Sequence, residues 1–309
     1  MSLNPPKKQI VSNNMKIFLK IDGGIGKSIA ASAVCKAIKA QYPDCKLYII
    51  TGYPDVFEGN RLVYETMRHD EQNYFYRNHI MGQPDTKFFL HEPYFETAFI
   101  HREGHLVKVW CEMNGIKYNG ELPELFLTHK EKTSYGSMIQ LPKKPILLIQ
   151  ISGGMPNQTD KYSWPRDLPF ATAQKVVDAF VEKYNVVQIR RQDQPALLNT
   201  YPAIANFRQL AVLIGMSEKR LFIDSFAQHT AAAMGLPSVV FWIANVPSQF
   251  GYEMHTNIIA NPPTLEPELK RAGLSMYNTN GPETEFPYNN EEEIINAEVL
   301  IEALKKDHK

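Results

Sequence analysis

The chain has 309 residues, a length that suits two α/β domains of ordinary size better than a single hydrophobic core. Hydrophobic residues make up 44% of the sequence, and this fraction excludes an intrinsically disordered chain. The 33 basic and 33 acidic residues give a formal net charge of +0, so the overall charge gives no reason to expect a nucleic-acid partner.

The cysteines and the N-terminal segment bear on cellular location. Cys35, Cys45 and Cys111 are odd in number and lack CxxC spacing, so we expect neither a disulfide framework nor a zinc site. Residues 1–14 are polar and lack the apolar core of a signal peptide, and we interpret them as a flexible leader. No later stretch of sequence approaches a membrane span. The sequence therefore predicts a cytoplasmic protein, and it leaves peripheral contact with a membrane surface open.

The first elements in chain order form a βαβ unit. The β-prone run Lys16–Ile21 ends at residues 22–24 (DGG), and glycines after a strand mark a tight strand-to-helix turn. Residues 28–40 carry apolar side chains on an i, i+4 stripe, which predicts an amphipathic helix. A second strand is predicted at Lys46–Thr51. This order favours a parallel sheet with a right-handed crossover.

The segment at residues 52–144 has the least regular pattern and is rich in aromatic residues, His and Glu. Within it, Leu106–Met113 is typical of a helix, and residues 122–127 are typical of a strand. Residues 128–144 are polar, and we predict that they form a linker.

A second α/β series follows the linker. We predict strands at residues 146–151, 185–189, 221–223 and 238–242, and helices at residues 169–183, 207–214, 228–234 and 291–305. Gly235 stands where a helix C-cap needs a positive φ, and Pro237 stops the helix.

A strand, a Gly-rich turn and a helix open both halves of the chain. The simplest architecture is α/β, with two doubly wound Rossmann-like domains that face each other across a cleft. We predict an N-terminal Rossmann-like domain at residues 15–141 and a C-terminal Rossmann-like domain at residues 142–309. The terminal helix is placed so that it is able to pack back on the first domain.

The turn at residues 22–28 (DGGIGKS) invites a different interpretation, a phosphate-binding P-loop. That motif needs a Gly five residues before the Gly of Gly-Lys-Ser, and Ile21 stands there. The deviant P-loop of ParA/MinD-like ATPases carries its signature lysine where this chain has Asp22, a charge of opposite sign. Despite these departures, a deviant P-loop ATPase that binds nucleotides remains the alternative function.

The segment after Asp224 has the chemistry of an anion site. A strand ends at Asp224, and a helix is predicted to start near residue 228. Backbone N–H groups at a helix start attract anions, and Ser225 and His229 lie within one turn of it. Both side chains could donate to a diphosphate. Alternatively, Ser225 caps the helix and His229 is a packing residue.

Segments at both ends of each predicted domain follow a known pattern. They are GGIGKSIAASAV, AQYPDCKLYIIT, residues 52–60, residues 146–154, Lys161, Trp164-Pro165 and residues 221–237 (LFIDSFAQHTAAAMGLP). In these segments the chain resembles the bacterial heptosyltransferase-like family, glycosyltransferase family 9. Residues 221–237 are the most specific match, and the resemblance covers little of residues 86–120.

The resemblance implies a GT-B fold and a glycosyltransferase that acts with inversion and without a metal or other cofactor. Its substrates would be a nucleotide-diphosphate sugar and a saccharide, glycolipid or other hydroxyl acceptor. The resemblance makes residues 15–141 the acceptor-binding domain and residues 142–309 the nucleotide-sugar-binding domain. The family pattern places the donor diphosphate at Lys161, Ser225 and His229, beside Gln228 and Thr230. The sequence contains no Asp-x-Asp element, which supports chemistry that is independent of metal.

Other candidate contacts lie at strand ends and in the middle of the chain. The nucleotide base and ribose are expected near Arg190 and Asp193, unless these residues form a solvated loop. The acceptor side is expected to include Gly24, Gly26 and two residues of the aromatic middle, Glu92 and His101.

The catalytic base is where the chain departs from the family. The family has a carboxylate at the position of Lys27, and a lysine acts as a base only when its pKa is strongly depressed. Asp22 is our candidate base, with Lys27 as a phosphate or acceptor contact. The alternatives are a base from the middle (Glu92, Glu96, His101 or Glu103) or a chain without turnover. Phe226, where the family prefers Gly, is a second departure.

Overall fold

The computed structural model describes residues 15–70, 72–153, 164–265 and 286–306. In the first half, the strands and helices are β1 (Lys16–Ile21), α1 (Ile25–Gln41), β2 (Lys46–Thr51), β3 (Glu65–Met67), α2 (Phe75–His79), β4 (Thr86–Phe89), α3 (Thr97–Ile100), α4 (Leu106–Met113) and α5 (His129–Met138). In the second half they are β5 (Ile146–Ile149), α6 (Phe170–Phe180), β6 (Asn185–Ile189), β7 (Tyr201–Ala203), α7 (Phe207–Met216), β8 (Lys219–Ile223), α8 (Phe226–Ala233), β9 (Val239–Trp242), α9 (Pro247–Phe250), β10 (Thr256–Ile259) and α10 (Ala297–Lys305). Short 3-10 helices cover Pro54–Phe57, Pro93–Phe95 and Glu291–Glu293.

The strands form two parallel sheets. The first has four strands in the order β3-β2-β1-β4, and the second has six in the order β10-β9-β8-β5-β6-β7. In the first sheet the chain leaves β1 toward β2 and β3 and then places β4 on the other side of β1. In the second sheet β6 and β7 lie on one side of β5, and β8 to β10 lie on the other. The direction of winding therefore changes between β1 and β4 and between β5 and β8, where ligands bind in doubly wound sheets.

Helix α1 lies at the centre of the molecule. It begins at Ile25, three residues before the predicted start, because Gly23 has a positive φ of 92° and Gly24 takes the N-cap position in extended conformation. Most of the helix is buried, including Lys27 and Ser28, so the predicted amphipathic stripe is too narrow. The helix is buried on more than one face because it contacts both α4 of the first half and α8 of the second half.

One hydrophobic cluster joins the two halves. It contains buried residues of β1, α1, β2 and α4 together with Val240, Trp242 and Phe250 of the second half. The buried thiols of Cys35, Cys45 and Cys111 belong to the same cluster. The two sheets therefore share part of their core.

The predicted linker was wrong, because residues 128–144 contain helix α5. The Thr128 hydroxyl accepts from the Glu131 N–H, and the Glu131 carboxylate accepts from the Thr128 N–H, which is a capping box. Thr-x-x-Glu is visible in the sequence and is the signal that the linker interpretation overlooked. Helix α5 packs against α7 of the second half. Residues 122–127, predicted as a strand, pair with no strand in the described part of the chain.

The predicted terminal helix is divided and packs on the second sheet. Glu291–Glu293 form a 3-10 turn, and α10 starts at Ala297 with Asn296 as its N-cap. Helix α10 contacts α6, β8 and β9, and Leu300, Ile301 and Leu304 are buried in that core. In the described residues the helix thus packs within the second half, and its return to the first domain stays a prediction. The domain boundary between residues 141 and 142 remains a prediction.

Several strand and helix predictions were confirmed within a few residues. These are β1, β2, α4, β5, α6, β6, α7, β8, α8 and β9. Gly235 has a φ of 70°, as the predicted C-cap requires. In the described ranges, no helix is long and apolar enough to cross a bilayer.

Candidate functional site

A cavity of about 280 Å³ lies where the winding of the second sheet changes direction. Its walls come from the segments that follow β5, β6, β7 and β8. They are Gln150, Ser152, Gly153, Ile189, Arg190, Arg191, Gln192, Gln194, Ala203, Ile204, Ala205, Leu210, Ser225 and Phe226. This volume is at the small end of the range of ligand pockets, and polar and apolar side chains share the walls. The cavity brings together Arg190 and Ser225, which were predicted from separate parts of the sequence.

The Gln150 amide connects two walls of the cavity. Its Nε2 donates to Ser225 Oγ at 3.1 Å and to the Ser152 carbonyl at 3.3 Å. The residue is 4% exposed, and its Oε1 has no hydrogen-bond partner among the described residues. A buried acceptor without a partner costs about 1–3 kcal/mol, so Gln150 is held at this place at some expense of stability.

Helix α8 begins at this cavity. Ser225 is its N-cap residue, and in the described structure the hydroxyl makes no capping bond. Ser225 Oγ instead accepts from Gln150. The first backbone N–H groups of α8 are therefore not capped by this side chain, and they carry the partial positive charge of a helix start. The helix starts at Phe226, two residues before the predicted position, so Phe226 itself lines the cavity.

Two arginines add positive charge to the wall. Arg190 Nη1 donates to the Arg191 carbonyl at 3.2 Å. Arg191 donates to the Gly153 carbonyl at 3.3 Å, and its Nε lies 3.0 Å from Asp193 Oδ1. Asp193 is therefore engaged with Arg191, and it does not belong to the described residues that line the cavity. Of the two residues predicted to contact the base and ribose, Arg190 lines the cavity, whereas Asp193 is paired with Arg191 and does not line it.

The other predicted diphosphate contacts on α8 are enclosed. Gln228 and Thr230 are fully buried and His229 is 5% exposed. His229 Nδ1 lies 2.8 Å from the Tyr252 hydroxyl, and Thr230 Oγ1 donates to the Phe226 carbonyl at 2.8 Å. Burial, followed by the neighbouring histidines, lowers the pKa of His229 to about 3, so its ring is neutral. None of these three lines the described cavity. Lys161, the remaining predicted contact, lies outside the described residues.

A second charged group stands where the first sheet changes direction. Lys27 lies in the first turn of α1, after β1, and Glu92 follows β4. Lys27 Nζ contacts both carboxylate oxygens of Glu92. The Lys27 side chain is 3% exposed, and the Glu92 side chain is 21% exposed. Burial lowers the pKa of Lys27, and the hydrogen bond and charge of Glu92 oppose that shift.

Aromatic rings enclose the Lys27 ammonium. Nζ lies 4.6 Å from the ring centroid of Tyr94 and 5.2 Å from that of Trp110. Both distances allow cation–π attraction. Trp110 is fully buried, and the sequence did not indicate its contact with a charge.

The remaining candidates near the first turn are spread apart. Asp22 is 46% exposed at its side chain, with Lys20 Nζ at 2.7 Å and His69 Nε2 at 3.6 Å. Gly24 caps α1, and Gly26 packs against α8 so closely that an added Cβ would lie 3.0 Å from His229 Cδ2. His101 is 62% exposed, and its nearest described carboxylate contact is Glu103 at 4.0 Å. These positions bring Gly24 and Glu92 to the same edge of the sheet and leave His101 on the surface.

Solved glycosyltransferases share this arrangement of two parallel α/β sheets. E. coli ADP-heptose LPS heptosyltransferase II matches with a TM-score of 0.66 at 12% identity, over 94% of this chain and 97% of that chain. A glycosyl transferase family 9 protein from Veillonella parvula matches with a TM-score of 0.62 at 13% identity, over 94% and 96% of the two chains. The chain has the fold of the heptosyltransferases.

A third similar structure is the dodecameric iron-containing heptosyltransferase TibC in complex with ADP-D-β-D-heptose. It matches with a TM-score of 0.64 at 12% identity, over 96% of this chain and 77% of that chain. No family model matches the sequence, and no curated protein matches it. The likeness therefore concerns the fold, and at that level it confirms the predicted GT-B architecture of two Rossmann-like domains.

The geometry does not favour the P-loop alternative. A P-loop lysine must reach the β- and γ-phosphates, and its Ser or Thr hydroxyl must reach Mg²⁺. Here Lys27 is paired with Glu92, and Ser28 is fully buried with its Oγ 3.1 Å from Thr51 Oγ1. Both side chains point into the protein rather than toward a nucleotide in the loop.

Two functional candidates were missed at the sequence level. Gln150 is the polar residue after the apolar run of β5, and that break in the run is the signal that could have indicated it. Tyr94 follows Glu92 by two residues, and its position over Lys27 depends on packing that the sequence does not reveal. In the described residues, no group of three or more His, Cys, Asp or Glu is arranged to hold a metal ion.

Proposed function

We propose that the protein is a glycosyltransferase that moves a sugar from a nucleotide-diphosphate donor to a hydroxyl of a saccharide or glycolipid. One observation carries the proposal: the start of α8, which lacks a side-chain cap, opens on the cavity at the point where the second sheet changes direction. Diphosphates bind at such helix starts because backbone N–H groups and partial positive charge meet there.

The donor is proposed to lie across the cavity. Its diphosphate contacts the first turn of α8 and Ser225, with Arg190 as the nearby positive charge. Its ribose or base lies beside Gln150, which lines the cavity and bonds Ser225. TibC was solved with an ADP-heptose, and we extend the class of nucleotide-diphosphate sugars to this chain. The predicted part of Lys161 in this site remains a prediction.

The buried side chains of α8 are assigned a different part. His229 bonds Tyr252, and Gln228 Nε2 donates to the Phe250 carbonyl at 3.1 Å. We propose that His229 and Gln228 fix α8 to the segment around residues 250–252, so that the first turn of α8 stays directed toward the donor. This replaces direct contact of Gln228, His229 and Thr230 with the diphosphate.

The reaction that fits this arrangement is an inverting transfer without metal. The bond between the anomeric carbon and the diphosphate oxygen breaks, and the oxygen leaves with the electron pair. The start of α8 and the arginines stabilise that developing charge, as fixed dipoles do in transferases and other enzymes. The acceptor oxygen attacks the opposite face of an oxocarbenium-like centre and loses its proton to a carboxylate. A cytoplasmic location and peripheral membrane contact also remain predictions.

A thermal-shift screen tests the donor site. We expect one nucleoside diphosphate to raise the melting temperature without Mg²⁺, because a ligand of the native state stabilises it. Arg190→Gln is expected to raise the dissociation constant of that nucleoside diphosphate about tenfold or more. The reason is that a charge-assisted hydrogen bond contributes roughly 1.5–3 kcal/mol. Arg77→Gln, at an exposed arginine of α2, is the matched control. A shift that needs Mg²⁺ and a triphosphate, and that is lost in Lys27→Ala, would overturn the proposal in favour of a P-loop.

A further inference from the structure

The edge of the first sheet where the winding changes direction carries two carboxylates, Asp22 and Glu92. Asp22 follows β1 and Glu92 follows β4, so both lie at carboxyl ends of neighbouring parallel strands. Such an edge is the place where a doubly wound sheet binds its ligand. A transferase with its donor on the second sheet needs an acceptor-activating carboxylate on this edge of the first.

The two carboxylates differ in how firmly they are held. Asp22 is 46% exposed, and its contacts with Lys20 and His69 involve side chains that are themselves more than a third exposed. Glu92 is 21% exposed, and its oxygens are held by the buried Lys27 ammonium. Glu92 Oε1 also accepts from the Tyr94 N–H at 3.4 Å, within the N-cap of a 3-10 turn. Glu92 is therefore the pre-positioned carboxylate, as a catalytic group must be.

Tyr94 connects the segment of Glu92 with the second half of the chain. The Tyr94 ring packs against Phe250, with 6.1 Å between centroids. Burial raises the pKa of the Tyr94 phenol, and the charges of Asp224 and Glu92 raise it further. Asp224 is the last residue before Ser225 of the donor cavity. The 3-10 turn that Glu92 caps therefore packs against the second half through Tyr94.

Lys27 is enclosed and serves Glu92 rather than a ligand. Its side chain is 3% exposed, and two aromatic rings cover the ammonium. An ammonium enclosed in this way cannot reach a phosphate without breaking its pair with Glu92. Its position in the first turn of α1 therefore orients Glu92 and balances its charge.

We propose that Glu92 is the catalytic base that takes the proton from the acceptor hydroxyl, and that Lys27 is its positioning residue. The inference rests on the proposed glycosyl transfer. The acceptor O–H proton passes to a Glu92 oxygen as the acceptor oxygen forms its bond to the anomeric carbon. The bond between that carbon and the diphosphate breaks, and its electron pair leaves on the diphosphate oxygen. Glu92 then returns the proton to water.

The first test compares turnover of sugar donors built on the nucleoside diphosphate that the thermal-shift screen identifies, with water and methyl glycosides as acceptor probes. Glu92→Gln is expected to lower kcat by roughly 10²- to 10⁴-fold, the usual contribution of a general base, with an unchanged donor dissociation constant. Glu112→Gln, an exposed glutamate of α4, is the matched control. A kcat for Glu92→Gln within about threefold of the wild type would overturn the inference. So would a comparable loss that occurs in Asp22→Asn instead.

The second test separates positioning from folding. Formate, a small carboxylate, is expected to restore at least about tenfold of the lost kcat in Glu92→Ala, because Lys27 can hold it in the vacated place. The same formate is expected to restore nothing in the double variant Glu92→Ala with Lys27→Met. The double variant leaves no unpaired buried charge, so we expect it to fold. A thermal shift on addition of the nucleoside diphosphate checks that it does. Equal rescue in both variants would overturn the part assigned to Lys27. A wild type that binds the donor and releases no nucleoside diphosphate would instead refute the proposed function itself.

Discussion

Arg208 of α7 and Glu131 of α5 form a two-point ion pair in which the arginine is buried and the glutamate is partly exposed. Arg208 Nε lies 2.6 Å from Glu131 Oε1, and Nη2 lies 2.8 Å from Oε2. The same guanidinium donates to the carbonyls of Phe126 at 2.7 Å and Asp55 at 3.1 Å. Because Asp55 follows β2 of the first sheet, one arginine ties the second half, α5 and the first sheet together.

Replacing Arg208 should therefore loosen the contact between the halves. Arg208→Met is expected to lower the free energy of unfolding by about 1.5–3 kcal/mol, since it removes charge-assisted hydrogen bonds to Glu131 and the donors to the Phe126 and Asp55 carbonyls. Urea denaturation measures this change. Lys305→Met removes an exposed ion pair with Glu302 and is expected to leave the unfolding midpoint near that of the wild type. Equal midpoints for the two variants would contradict the role of Arg208.

Glu131 makes the stability depend on pH in acid. The hydrogen bond from Arg208, aided by Thr128, lowers the pKa of Glu131 from 4.5 to about 2. Because the folded pKa lies below the unfolded one, Glu131 stabilises the fold above pH 4.5, and this contribution is lost as pH falls from about 4.5 to about 2. The difference in unfolding free energy between wild type and Glu131→Gln should therefore shrink across that window. A difference that stays constant from pH 7 to pH 3 would speak against the ion pair.

Gly26 controls how closely α1 approaches α8. A Cβ at this position would lie 3.0 Å from His229 Cδ2 and 3.4 Å from the Phe226 Cα, so the helices must separate to accept it. Gly26→Ala is expected to lower the free energy of unfolding by about 1–3 kcal/mol, the usual cost of overpacking. Gly136→Ala in α5 meets Met216 at an ordinary 3.5 Å and is expected to raise stability by roughly 0.5–1 kcal/mol. Thermal denaturation should therefore show a lower melting temperature for Gly26→Ala and a higher one for Gly136→Ala than for the wild type.

The sequence was informative where apolar runs are continuous. The strands at Lys16–Ile21, Lys46–Thr51 and Asn185–Ile189 are buried almost throughout and were located to the residue. The strands β3, β4, β7 and β10 are three or four residues long and partly exposed, so they carry too little periodicity to be recognised. These four are the edge strands of the two sheets, and they form by pairing with the neighbouring inner strands.

The candidate site was predictable in its parts and not in its connections. Ser225 and Arg190 both follow predicted strands, and parallel strands bring such residues to one edge. The pair of Lys27 and Glu92 spans 65 positions of sequence and requires β4 to lie beside β1, which the sequence pattern does not indicate. The enclosure of His229 depends on the approach of α1 to α8, and no local pattern encodes it.

The hydrophobic cluster shared by the two halves contains two of the three tryptophans, Trp110 and Trp242, both fully buried. Trp110 belongs to the first half and Trp242 to the second. Their indole emission is therefore sensitive to water at the junction between the sheets. The protein carries its own fluorescent reporter of domain separation, and a red shift of its emission without loss of helical circular dichroism marks opening rather than unfolding.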